Sequence, residues 1–192
     1  MPQTIHRGIK ALIDEANAEI ETVSAADAIK AGQGDDVVIV DIRDPREIER
    51  DGRIPGAFSC TRGIKALIDE ANAEIETLTA KDAIEISKNG DVVIVDIRDP
   101  REIERDGRIP GAFACTRGML EFWIDPQSPY AKPVFQEDKK FVFHCAGGLR
   151  SALAAKTAQD MGLKPVAHIA GGYAAWRDAG GPVEQWEPKK KG

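Results

Sequence analysis

Cys145 and Arg150 stand with four residues between them in the stretch FVFHCAGGLRS, residues 141–151. The apolar run Phe141-Val142-Phe143 reads as a buried strand that delivers Cys145 into a loop, Ala146-Gly147-Gly148-Leu149, closed by Arg150. Ser151 then opens a run of helical character, SALAAKTAQDM. A helix N-terminus and a neighbouring cation both favour a thiolate over a thiol. Gly147 and Gly148 allow the positive φ values with which a curled loop aims its N–H groups inward as an anion nest. Ala146, Gly147, Gly148, Leu149 and Ser151 would form that cradle around a thiolate, a persulfide or an oxyanion. Cys145 would act covalently, accepting a group and passing it on.

Other chemistry-bearing residues have plainer readings. Asp96, Arg98 and Glu102 suit ion pairs that brace the loop after a strand. Cys60 and Cys115 follow apolar Ala-Phe pairs and read as small core residues. His144 and His168 lie in apolar strands and read as core histidines. Phe122, Trp123 and Tyr130 either wall a pocket mouth or pack in the core. No metal-ligand spacing and no glycine-rich nucleotide loop is present, so no cofactor is expected beyond a covalent adduct on Cys145.

The elements that must position this loop alternate in type. Val92-Val93-Ile94-Val95 is a continuous apolar run of buried parallel-strand type. Upstream, Ile64–Ile75 places Ile64, Leu67, Ile68, Ala71 and Ile75 at helical spacing, and Thr79 can cap a second helix over Ala80–Ser87. Asp99-Pro100 starts a helix to Arg105, with proline at its favoured first position. A helix Met119–Ile124, a proline-rich loop, the Phe141–Phe143 strand, the Ser151 helix, a strand Val166–Ile169 and a helix Tyr173–Asp178 follow. Such alternation predicts an open parallel sheet covered on both faces. Ligands in such sheets bind at the carboxyl ends of strands, where Cys145 sits.

Residues 7–62 recur as residues 62–117 with a constant offset of 55 and ten differences. Nine of the ten fall between residues 23 and 35 of the first copy. Gly118–Gly192 occurs once. Near-identity of this kind follows a recent tandem duplication or deliberate engineering. The second copy is expected to complete the fold, because using the first would loop out the intervening stretch at about 3–4 kcal/mol. Residues 1–61 then form an extension that is docked, swapped between chains or partly disordered, 62–186 the domain, and 187–192 a basic tail.

Composition narrows the setting. The chain has 192 residues and a formal net charge of −6, which argues against generic nucleic-acid binding. No apolar stretch approaches a transmembrane span and no secretory signal is visible, so no membrane partner is expected. Three cysteines do not make a paired framework, which suits a reducing cytoplasm.

With these motifs in order, the chain resembles the rhodanese-like sulfurtransferases. The resemblance rests on the Cys145–Arg150 loop, Asp96-Ile97-Arg98-Asp99-Pro100 with Glu102, Gly107–Ala112, Gly171-Gly172-Tyr173 with Trp176, and Gly180–Val183. It implies a three-layer α/β/α fold with a roughly five-stranded parallel sheet. It also implies transfer of sulfane sulfur from a small donor such as thiosulfate to cyanide or a thiol, through a Cys145 persulfide. Related phosphatases carry one residue more between cysteine and arginine, so the loop length favours sulfur. Two departures stand out: Arg108 occupies a position where the family usually has histidine, and the loop lacks extra basic residues seen in thiosulfate-specialised members. A non-catalytic binding module remains the alternative, and a homodimer or segment swap through the repeated half is an open expectation.

Overall fold

The computed structural model describes residues 3–32, 37, 39, 40, 50 and 64–186. Cys60, Arg53 (the first copy's counterpart of Arg108) and the 187–192 tail therefore lie outside the described residues, as does Val38 of Val37–Val40, the first copy's counterpart of the Val92–Val95 run, which is expected to form a strand. The chain divides into two units, one of Met1–Ile13 with Ile64–Gly192, the other of Asp14–Gly63.

The first unit holds a five-stranded sheet in the order β1-β5-β4-β2-β3, parallel throughout. Its strands are β1 (Glu76–Leu78), β2 (Val92–Asp96), β3 (Phe113–Ala114), β4 (Lys140–His144) and β5 (Val166–Ile169). The helices are α1 (Ile9–Glu19) and α2 (Ala25–Ala31) in the first copy, then α3 (Ile64–Glu74), α4 (Ala80–Ile86), α5 (Pro100–Asp106), α6 (Leu120–Ile124), α7 (Leu149–Met161) and α8 (Gly172–Asp178). The sheet thus takes β1, β2 and β3 from the second copy.

Central strands are apolar on both faces because both faces are covered. Val95, Phe141 and Phe143 pack with Ile68 and Ala71 of α3, Leu120 and Ile124 of α6, and the alanine stripe of α7. Ile94, Val142, Ala167 and Ile169 face the other way, onto Ala80 and Ala83 of α4 and Tyr173 and Trp176 of α8. The result is a three-layer α/β/α fold. Thr79 caps α4 by accepting from the Asp82 N–H, and Asp99 and Glu102 close a capping box on α5.

Residues 3–13 also belong to this unit. The Arg7 N–H donates to the Met161 carbonyl at 3.3 Å, and the Ile9 N–H to Asp125 Oδ2 at 2.8 Å. Ile5 and Leu12 pack against the core. In the second unit, α2 is capped by Ser24 and buries no residue.

β2 and β4 are neighbours, with Asp96 in register with His144. Their carboxyl ends carry the loop with Cys145 and the turn with Arg98. Among the described residues no helix is long and apolar enough to cross a membrane.

Candidate active site

Cys145 follows the last residue of β4 and is 1% exposed. The Gly148 N–H donates to its Sγ at 3.2 Å. Gly148 reaches this pose at φ +89°, and a Cβ there would stand 2.8 Å from the Gly171 nitrogen. Gly147 needs no positive φ and a Cβ there would meet nothing within 4 Å, so one glycine of the pair, not both, supplies the left-handed step. Because Gly148 caps it, α7 begins at Leu149, two residues before the Ser151 start expected from the helical run. Leu149 and Arg150 therefore sit in its first turn, and both side chains reach solvent.

A second glycine turn closes on the loop from β5. The Tyr173 N–H donates to the Cys145 carbonyl at 2.7 Å and the Ala174 N–H to the Ala146 carbonyl at 3.1 Å. Gly172, at φ +58°, makes this approach feasible: its Cβ would lie 2.3 Å from the Cys145 oxygen. Ser151 is buried and donates from Oγ to the Gly148 carbonyl at 3.0 Å. Its Oγ lies 3.4 Å from His168 Nδ1, and His168 Nε2 lies 3.1 Å from Thr77 Oγ1.

Arg150 turns to Glu102. Its Nη1 and Nη2 donate to the two carboxylate oxygens at 2.8 and 2.7 Å. Glu102 also accepts from the Asp99 N–H at 3.0 Å. The Arg150 hydrogen bond holds the Glu102 carboxyl below the usual range against the opposing effect of burial. Glu102 thereby ties α5 to the first turn of α7.

Asp96 and Arg98 form a separate buried pair. Arg98 Nε donates to Asp96 Oδ1 at 2.9 Å, and Nη2 to Asp96 Oδ2 at 2.6 Å and to the Gly107 carbonyl at 2.9 Å. The guanidinium lies 4.0 Å from the centroid of the Tyr173 ring. Since the Tyr173 N–H holds the Cys145 carbonyl, this pair reaches the loop through Tyr173. His144 stacks on the same ring at 6.1 Å. Burial outweighs the nearby Asp96 and pushes the imidazole down to about 4, so it is neutral at neutral pH.

Cys115 is fully buried and its thiol is pushed up to about 12, chiefly by burial, so it is a protonated core group. Arg108 donates from Nε to Glu184 Oε1 at 2.6 Å, a structural pair. Trp123 stacks edge-on against Phe113 and lies beneath Lys132, while Phe122 meets the exposed Tyr130. A cavity of about 540 Å³ bordered by Val92, Ile109, Phe113 and Trp176 contains no residue of the Cys145 loop. Among the described residues no acidic, histidine and cysteine cluster could hold a metal.

Residues 79–179 match the rhodanese-like domain, more than half of the chain. The chain belongs to the rhodanese-like family. The match is to a single domain. The mouse thiosulfate sulfurtransferase/rhodanese-like domain-containing protein 3 is 26% identical over 104 residues, spanning 52% of this chain and 66% of that protein. The Bacillus subtilis protein named "Putative sulfurtransferase YtwF" is 30% identical over 103 residues, spanning 54% of this chain and 88% of that one. A solved structure from Rhodopseudomonas palustris, of unknown function and described as a possible tyrosine phosphatase, is 79% identical with a TM-score of 0.65. It covers 67% of this chain and 99% of its own.

Within the rhodanese-like fold, the structure places Cys145 in its loop and pairs Asp96 with Arg98 and Glu102 with Arg150, while what Tyr173, Gly172 and His168 touch had no place in the sequence reading. The Gly171-Gly172 pair after an apolar strand was the available signal. A double glycine there indicates a close backbone approach, and the backbone approached is that of Cys145.

Proposed function

We propose that this rhodanese-like domain is a sulfurtransferase working through Cys145. The Cys145 thiolate attacks the outer sulfur of a sulfane donor. The donor's S–S bond breaks, its electron pair leaves with the departing group (sulfite, if the donor is thiosulfate), and a Cys145 persulfide forms. A thiolate or cyanide then takes the outer sulfur and returns the Cys145 thiolate. The carrying observation is the short loop, whose four residues between Cys145 and Arg150 wrap one buried sulfur with the Gly148 N–H aimed at it. Arg150 and Ser151 hold that loop, and Ala146, Gly147, Gly148 and Leu149 form its wall. The domain spans 62–186 on this reading, with residues 1–61 as an appended copy of its N-terminal half. The free thiols of Cys115 and Cys145 suit a reducing, cytoplasmic setting.

A second reading, phosphatase, comes from the Rhodopseudomonas palustris relative. It would need an arginine free to take a phosphate, and both outer nitrogens of Arg150 are engaged by Glu102. The test is mass spectrometry after exposure to thiosulfate or to an organic persulfide. The expected adduct on Cys145 is about 32 Da, one sulfur atom, absent from folded Cys145→Ser. No adduct from either donor on the folded protein would refute the proposal in favour of a binding module. Turnover of an aryl phosphate would favour the phosphatase.

A further inference from the structure

Ser151, His168 and Thr77 form a polar line, buried at Ser151 and His168, that the transfer chemistry does not touch, and its partners constrain the donor directions. The Ser151 hydroxyl proton goes to the Gly148 carbonyl, which can only accept. Ser151 Oγ can therefore only accept from His168, so Nδ1 must carry a proton. A neutral ring then leaves Nε2 as an acceptor, and the Thr77 hydroxyl donates to it. The line enters at Thr77, exposed on the edge strand β1, passes through His168, 3% exposed on β5, and ends on the loop glycine that faces the nucleophile.

We infer that His168, as the neutral Nδ1–H tautomer, is a positioning residue that fixes Ser151 and through it the Gly148 peptide whose N–H meets Cys145 Sγ. Register makes this possible, because Thr77 and Phe143 both lie opposite His168 across the sheet. Without the His168 proton, Ser151 is free to rotate away. The Gly148 carbonyl then keeps only the longer bond from the Ala152 N–H, at 3.3 Å. Burial lowers the affinity of His168 for a second proton, in keeping with a neutral ring. The consequence for transfer rests on the persulfide reading. The geometry does not.

Two measurements on the full-length protein test it. Nitrogen-15 NMR of the three histidine rings, with His168 assigned by loss of its signals in H168N, should show a protonated Nδ1 and a bare Nε2 at neutral pH. A protonated Nε2 or a charged ring would overturn the inference. Alkylation of Cys145 by iodoacetamide at one fixed pH, localised by mass spectrometry, should slow about tenfold in His168→Leu and in Ser151→Ala, the scale of one hydrogen bond. The double variant should be no slower than either single one. His168→Asn, whose amide N–H can reach Ser151, should recover most of the rate. Equal rates in wild type and folded H168L, or no recovery in folded H168N, would overturn it. Failure of the wild type to take up sulfur refutes the sulfurtransferase reading instead, and these two measurements still decide this inference.

Discussion

His144 immediately precedes Cys145, fully buried, with neither ring nitrogen hydrogen-bonded. Its proton affinity falls from an ordinary 6.5 to about 4 on folding. The unfolded chain therefore binds the proton more readily, and stability present above about pH 6.5 is lost as pH falls toward 4. That depression corresponds to about 3 kcal/mol across the window. We expect His144→Phe, which keeps a ring against Tyr173, to flatten the fall in urea midpoint between about pH 6.5 and 4.5. A slope identical to wild type would count against it. The burial-lowered His168 has the same sign and leaves a residual slope. Glu102, depressed by Arg150, adds its own loss at lower pH, as its carboxylate is protonated. Glu102→Gln should cost about 1 kcal/mol, no more, since Arg150 is 44% exposed and solvent screens the pair.

The Cys145 loop is gripped between two turns, and the turn from β5 is the stricter. Gly172→Ala would press a methyl group on the Cys145 oxygen in a left-handed backbone. A loss of about 2 kcal/mol or more should appear in thermal melts, with slower alkylation of Cys145. Gly147→Ala meets open space and should change stability by about 0.5 kcal/mol or less. The two glycines look equivalent in sequence, and only the approach of α8 separates them. The same limit governed which elements could be read. β2, β4 and β5 are built on the apolar stretches Val92–Val95, Phe141–Phe143 and Val166-Ala167 with Ile169, and were legible. β1, Glu-Thr-Leu, has no such run and exists because β5 offers an edge to pair with. β3 has two residues and needs β2 beside it. Cys145, its loop and the Asp96–Glu102 motif were legible because each is local. The links from Arg98 to Tyr173 and from His168 to Ser151 were not, because they depend on how strands and helices far apart in sequence align.

At the scale of the molecule, the N-terminal segment, including the first residues of the first copy, belongs with the domain that follows it. Residues 3–13 bond to Met161 and Asp125, and Ile5 and Leu12 reach the core. Deleting residues 9–63 rejoins Gly8 to Ile64, restoring the Gly-Ile step of both copies. We expect that shortened chain to fold, with a cooperative melt and an alkylable Cys145. Starting the chain at Ile64 instead forfeits the 3–8 segment and should lower the melting temperature. A deletion variant that fails to fold would show that the first copy is needed. Ile9–Thr22 and Ile64–Thr77 are the same fourteen letters, yet α3 buries Ile68 and Ala71 while α1 fully buries no residue and only half-buries Leu12. Peptides cut from the two places have one mass. Deuterium labelling should therefore return a double isotope envelope from a uniform sample, one half fast and one half slow, which would pass for two coexisting conformers when it is one molecule holding the same words in two different solvents.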